Sequence, residues 1–192
     1  MKRNSFFKAI GLLVTMPFIS LKGFSAEIIQ LIAKMGFLVR AGRDRFEKPI
    51  TLFEGDTFYT KVSTKDTNGD LYVFESTRIK NGGPSLHFHY DQDEIWYILE
   101  GEFLIKVGDI TYEAKAGDTV FGPRKIPHSF AKRGDGQARV MITFQPAGKM
   151  EEFFIKVSQG KLKELSPEQQ QAVRKEHGFE AVGAGVGYMK KL

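Results

Sequence analysis

Four histidines occur in the 192 residues, and three of them fall into a pattern with one glutamate. His87 and His89 stand two apart, Glu94 follows after the polar turn Asp91-Gln92-Asp93, and His128 arrives downstream at the end of Gly117-Asp118-Thr119-Val120-Phe121-Gly122-Pro123-Arg124-Lys125-Ile126-Pro127-His128. Three imidazoles and one carboxylate are a ligand set that suits a divalent transition metal. Neutral imidazoles bind such an ion at roughly 2.0–2.1 Å, and carboxylates at similar length. Four protein ligands leave one or two positions open on a five- or six-coordinate ion, where dioxygen or a chelating substrate would bind. The ion would be one per chain, drawn from Fe, Mn, Ni, Co, Cu or Zn.

Such a constellation needs strands to position it. Side chains two apart on a strand share a face, so His87 and His89 point one way and Phe88 the other. Glu94 begins the next strand and can fold back beside the two imidazoles, whereas His128 must be brought in by closure of a barrel. From Pro49 to Gln145 the chain reads as about nine short strands separated by turn residues, an all-β pattern. The runs are Phe58 to Ser63, Leu71 to Ile79, Leu86 to Tyr90, Ile95 to Leu99, Phe103 to Val107, Ile110 to Glu113, Thr119 to Phe121, His128 to Lys132 and Arg139 to Phe144. After Pro146 the period becomes helical. Lys149 to Val157 predicts one short helix, and Ser166 as N-cap with Pro167 at the first position predicts a second, to about Glu176 with a stop at Gly178. Gly183, Gly185 and Gly187 read as a loose tail. His177, at the end of that helix, reads as structural, favoured there by the helix dipole.

Composition narrows the function classes. One domain with a proper core fits the length, and 42% hydrophobic with 27% charged residues describes an ordinary globular chain. The formal charge of +5 does not point to nucleic acid. Residues 1–26 hold Lys2, Arg3, Lys8 and Lys22 and no acid, and removing those four leaves 24 basic residues against 23 acidic ones. A phosphate-binding protein keeps its basic excess in the folded domain. Without cysteine there is no disulfide, thiol nucleophile or thiolate metal site.

The basic start at Lys2 and Arg3, the apolar run Ala9 to Ile19 and the small residues Gly23, Ser25 and Ala26 have the three-part layout of a signal peptide. Residues 1–26 are therefore expected to direct export to a periplasmic or extracellular location, with no stable membrane span in the mature protein. Residues 27–48 are expected to be a lead-in, helical over 27–39 with Ile28, Ile32 and Met35 on one face. The barrel takes 49–146, and helices and tail 147–192.

The chain resembles the cupin superfamily. Its first motif pairs His-x-His with a Glu and a later Gly, matched by His87, His89, Glu94 and Gly101; its second is matched by Gly117, Pro123 and His128. Lys125 and Lys132 stand where the second motif usually has Gly and Asn. The resemblance implies a mainly β, double-stranded β-helix (jelly-roll) barrel with a possible homodimer. Within the superfamily, Gly82-Gly83-Pro84-Ser85-Leu86-His87, Phe144-Gln145-Pro146-Ala147-Gly148 and Ser166-Pro167-Glu168 resemble quercetin 2,3-dioxygenase-like cupins. That implies a metal-dependent dioxygenase cleaving a flavonol or related enolic aromatic substrate with O2, Glu94 being both ligand and general base. By alternation Trp96 and Ile98 share the Glu94 face and Phe130 the His128 face, so these three are the expected apolar substrate walls. Asp91, Asp93, Lys125 and Lys132 read as solvated. Two other functions fit the same residues: a non-catalytic cupin binding a small molecule or metal, and a metal-assisted isomerase of a sugar-like carbonyl compound.

Overall fold

Alternation of apolar and polar residues builds two antiparallel sheets whose inner faces meet. The computed structural model describes residues 36–52 and 56–188. Sheet A has the order β1-β2-β3-β10-β5-β8, made of Ile50–Leu52 (β1), Asp56–Val62 (β2), Tyr72–Arg78 (β3), Asp93–Glu100 (β5), Thr119–Gly122 (β8) and Ala138–Gln145 (β10). Sheet B has the order β11-β4-β9-β6-β7, made of Leu86–His89 (β4), Glu102–Val107 (β6), Ile110–Lys115 (β7), His128–Arg133 (β9) and Phe179–Gly183 (β11). This is the jelly-roll barrel expected of a cupin. Two helices follow the barrel, Met150–Ser158 (α1) and Pro167–Glu176 (α2). No helix among the described residues is long and apolar enough to cross a membrane.

The interior is filled from both sheets. Phe58, Tyr72, Phe74, Trp96, Ile98, Val140, Ile142 and Phe144 come from sheet A, and Phe103, Ile105 and Phe130 from sheet B, all buried. Registers set who meets whom. Ile142 of the central strand β10 lies opposite Phe74 on one side and Trp96 on the other, and Phe144 lies opposite Tyr72 and Glu94. Helix α1 closes the barrel beside β1, and Phe154 stacks edge-on against Phe58 with ring centroids 5.1 Å apart. Helix α2 starts as its sequence demands: Ser166 accepts from Gln169 N–H, and the Gln169 side chain accepts from Ser166 N–H, a reciprocal cap.

The structure departs from the sequence reading at several points. Eleven strands are present among the described residues rather than nine; β1 and β11 are the additions. The segment read as a loose tail is pinned instead. β11 pairs with β4, Tyr90 N–H donates to Gly178 O at 2.8 Å, and Val186 N–H donates to Ser129 Oγ at 3.0 Å. Residues 36–39, the end of the expected lead-in helix, are not helical. The export segment over 1–26 and the rest of that helix lie outside the described residues.

Candidate metal centre

Strand geometry brings the four expected ligands into one cluster. His87 and His89 share the inner face of β4, Glu94 stands second on β5, and His128 opens β9 directly opposite His87. All four are buried, and one ligand atom from each lies within 4.8 Å of the others. The three imidazole Nε2 atoms converge on a single carboxylate oxygen. Glu94 Oε2 is 3.1 Å from His128, 3.2 Å from His89 and 3.8 Å from His87.

Hydrogen bonds on the far side of two rings fix what those nitrogens offer. His87 Nδ1–H donates to Ser85 O at 2.7 Å, and His128 Nδ1–H donates to Ile126 O at 2.9 Å. A neutral ring protonated at Nδ1 turns the lone pair of Nε2 inward. Burial, reinforced by the neighbouring His87 and His128, pushes His89 down to about 4 despite Glu94, so His89 is neutral at physiological pH. Burial would raise the Glu94 carboxyl, yet the edges of His128, His87 and His89 outweigh it and hold the group well below the usual carboxylate range. With two rings committed through Nδ1–H to backbone carbonyls, the Nε2 atoms and the ionised carboxylate oxygen hold together only around a shared positive charge, a ring proton or a bound cation. The arrangement is satisfied by positive charge at its centre, and this donor set fits a divalent transition metal.

The surrounding wall is aromatic. Trp96 packs edge-on against His128 at 5.2 Å, and Phe130 lies behind it, 6.5 Å from Trp96. Ile98 is fully buried in the barrel core two residues beyond Trp96. Of the three expected wall residues, the structure thus sets Trp96 against the cluster, Phe130 in a second rank and Ile98 deeper still. Three phenylalanines that sequence reasoning missed lie closer on the opposite flank. Phe144 is 5.1 Å from His89, Phe179 is 5.4 Å from His89 and 5.8 Å from His87, and Phe153 backs Phe179 at 4.8 Å. For Phe144 a signal existed, since alternation along β10 gives it an inward position; Phe179 and Phe153 depend on how the C-terminal elements dock.

Loop chemistry holds the ligand strands in place. Asp93, expected to be merely solvated, accepts from Arg124 through N–H at 2.8 Å, Nε at 3.0 Å and Nη2 at 2.7 Å, so the start of β5 is clamped to the loop before His128. Asp91 is exposed as expected. Lys125 is exposed too, and it adopts φ +67°, the left-handed conformation that explains why glycine is usual there; its N–H donates to His89 O at 2.7 Å. Lys132 corrects the sequence reading outright. It is 2% exposed, and its Nζ donates to Asn81 Oδ1 at 3.0 Å and Gly134 O at 2.6 Å, away from solvent and with neutral acceptors only. The Gly82-Gly83 pair has a steric cause, because a Cβ on Gly83 would stand 1.7 Å from Phe130 O. His177 is buried at the end of α2; its Nδ1–H donates to Val173 O at 2.6 Å and its Nε2 accepts from Lys156 at 3.1 Å, a structural role as expected.

Comparison with known proteins agrees with this geometry. Residues 74–144 match the Cupin domain family. An uncharacterized protein of Methanocaldococcus jannaschii is 38% identical over 61 residues, 32% of this chain and 49% of that one. Protein SchB of Streptomyces halstedii is 25% identical over 85 residues, 43% of this chain and 62% of that one. The chain therefore spans about half to three-fifths of the length of these curated relatives. Among solved structures, KdgF from Halomonas sp. superposes with a TM-score of 0.50 at 18% identity, covering 58% of this chain and 94% of that one. An RmlC-like cupin from Shewanella frigidimarina gives 0.50 at 21% identity, covering 62% and 96%. These two likenesses show the fold. The two histidine-bearing motifs, the jelly-roll barrel and the domain match together show that this chain carries a cupin domain.

Proposed function

We propose that this cupin is a metal-dependent dioxygenase of the quercetinase-like kind, acting on a flavonol or a related enolic aromatic compound. The observation that carries the reading is the composition of the shell around the cluster: three imidazoles and a carboxylate flanked by Trp96, Phe144 and Phe179. Such walls suit a planar apolar ring better than a polyhydroxylated sugar, which needs hydrogen-bonding partners at each hydroxyl. His87, His89, His128 and Glu94 would hold the metal. When bound, the metal would supply Lewis-acid polarisation of an enolic oxygen and a meeting point for dioxygen.

The residues divide the remaining work. The backbone carbonyls of Ser85 and Ile126 fix the tautomers of His87 and His128, so the ligand nitrogens are set before anything binds. Glu94, ionised in its buried setting, is the carboxylate placed to serve as both metal ligand and acceptor of the hydroxyl proton of an enolic substrate. Trp96 and the phenylalanines exclude water and orient the ring, converting an encounter into an aligned reaction. We also infer that the chain is exported, on the strength of residues 1–26.

Oxygen consumption by the iron-, manganese-, nickel-, cobalt- or copper-reconstituted protein on addition of quercetin tests the reading. Turnover should be lost in His87→Ala/His89→Ala together with the metal. It should fall by about a hundredfold or more in Glu94→Gln, a typical loss for a general base. Full activity in Glu94→Gln would remove the base from the scheme. Tight metal binding with no oxygen uptake on any enolic aromatic compound would leave a metal-binding module or an isomerase in its place.

A further inference from the structure

Three of the four ligand residues are shut away. His89 and His128 have no exposed surface and Glu94 has 2%, whereas His87 retains 8%. A molecule that reaches the cluster therefore comes in along the His87 side. Around His87 stand the rings of His128 at 4.7 Å, His89 at 5.2 Å and Phe179 at 5.8 Å. Phe179 belongs to β11, which pairs with β4 so that Phe179 lies opposite His89 and Ala181 lies opposite His87. Directly opposed residues of an antiparallel pair project to one face, as do residues two apart on a strand. Ala181 consequently stands beside His87 as Phe179 stands beside His89.

The two positions differ sharply in size. Phe179 is 6% exposed and closes the His89 end with Phe153 behind it. Ala181 presents one methyl group and is half-buried, and Val182, at the register break between β11 and β4, is 48% exposed. We propose that the entrance to the metal centre lies over Ala181, with Phe179 as its fixed wall, and that side-chain size at these two positions selects which molecules reach the open metal positions. The selection half rests on the metal-centre reading. The entrance itself is a property of the metal-free protein.

Each half has its own experiment. For the entrance, the metal-free full chain is treated with diethylpyrocarbonate and modification of each histidine is followed by peptide mass spectrometry. His87 should react well ahead of His89 and His128. Ala181→Phe should slow His87 by about tenfold, while Val182→Phe, which puts the same ring at an exposed position of the same strand, should leave it unchanged. Phe179→Ala should bring His89 into reaction. Should Ala181→Phe fail to fold, Ala181→Leu tests the same blockage with less bulk. Unslowed reaction of His87 in a folded Ala181 variant would overturn the entrance. For selection, the cobalt-loaded protein is titrated with azide and with 4-nitrocatechol, a small and a large metal ligand. Ala181→Phe should weaken 4-nitrocatechol by about tenfold and leave azide within about twofold; equal effects on both would overturn selection by size. A wild-type protein that takes up no cobalt would sink the metal-centre reading and selection with it, and the diethylpyrocarbonate result would still decide the entrance.

Discussion

Glu75→Gln isolates a buried charge that ties three strands of sheet A together. Glu75 lies on the outer face of β3, in register with Tyr59 of β2 and Met141 of β10. Its side chain is only 3% exposed, and it meets Arg139 Nε at 2.7 Å and Lys61 Nζ at 3.1 Å. Removing one partner of a buried ion pair typically costs about 3–5 kcal/mol, because the other charge is left without compensation. Both cations here keep something. Arg139 is 28% exposed and lies 3.6 Å from Glu100, and Lys61 still donates to Arg43 O at 2.7 Å. The expected loss is therefore lower, about 2 kcal/mol, or roughly a thirtyfold change in the folding equilibrium. Urea unfolding followed by the emission of Trp96, the single and fully buried tryptophan, measures it at unchanged m-value.

The same variant has a signature in pH. Burial would raise the Glu75 carboxyl, but the bonds from Arg139 and Lys61 outweigh it and hold the group below its ordinary value of 4.5. A carboxyl depressed in the folded state contributes its full stability above the ordinary value and loses it as pH falls toward the folded value. The gap between wild type and Glu75→Gln should thus be widest near neutrality and should close below about pH 4.5. Equal urea midpoints at pH 7, or a gap that persists undiminished into acid, would refute the reasoning.

Three further outcomes are expected. Asp93→Ala releases the loop before His128 from the strand carrying Glu94, and zinc affinity measured by chelator competition should fall by about tenfold, the low end for residues that support metal ligands indirectly; affinity within twofold of wild type would mean that Lys125 N–H on His89 O holds the loop alone. Lys125→Gly relieves a left-handed backbone costing about 1 kcal/mol, partly offset by the greater freedom of an unfolded glycine, for a net gain of about 0.5 kcal/mol and a thermal midpoint one or two degrees higher. A drop in that midpoint would contradict the strain assigned to it. Gly83→Ala drives a Cβ into Phe130 O and should cost about 3 kcal/mol or more, read as a lower urea midpoint or loss of soluble protein.

Most of the barrel was legible because its strands obey a period of two. The runs at Leu71, Ile95, Phe103 and Arg139 fall within one or two residues of β3, β5, β6 and β10. The elements that escaped lack a local signal. β1 has three residues, and β11 reads Phe-Glu-Ala-Val-Gly ahead of further glycines, so only its pairing with β4 makes it a strand. The site divides the same way. His87, His89 and Glu94 follow from alternation across one turn, whereas His128 was reached through its motif, since nothing local in the sequence says that β9 lies beside β4. Phe179 belongs to the docking of the C-terminal segment and could not be read from spacing. Lys132 was misread because a lysine ordinarily signals surface, and the neutral oxygens that accept its ammonium come from Asn81 and Gly134, each brought up by loop geometry.

That buried ammonium makes the barrel its own stability gauge. An amine reagent can reach Lys132 only when Gly82 and β9 part, because the isolated bridge between Gly82 and Lys132 and the bonds to Asn81 and Gly134 lie across its path. Exposed lysines such as Lys115 and Lys125 acylate from the native state, whereas acylation of Lys132 counts openings of the barrel. Mass spectrometry of that one residue over time would report the opening frequency of the metal-bearing strand β9 under native conditions, without denaturant and in mixtures too crude for spectroscopy.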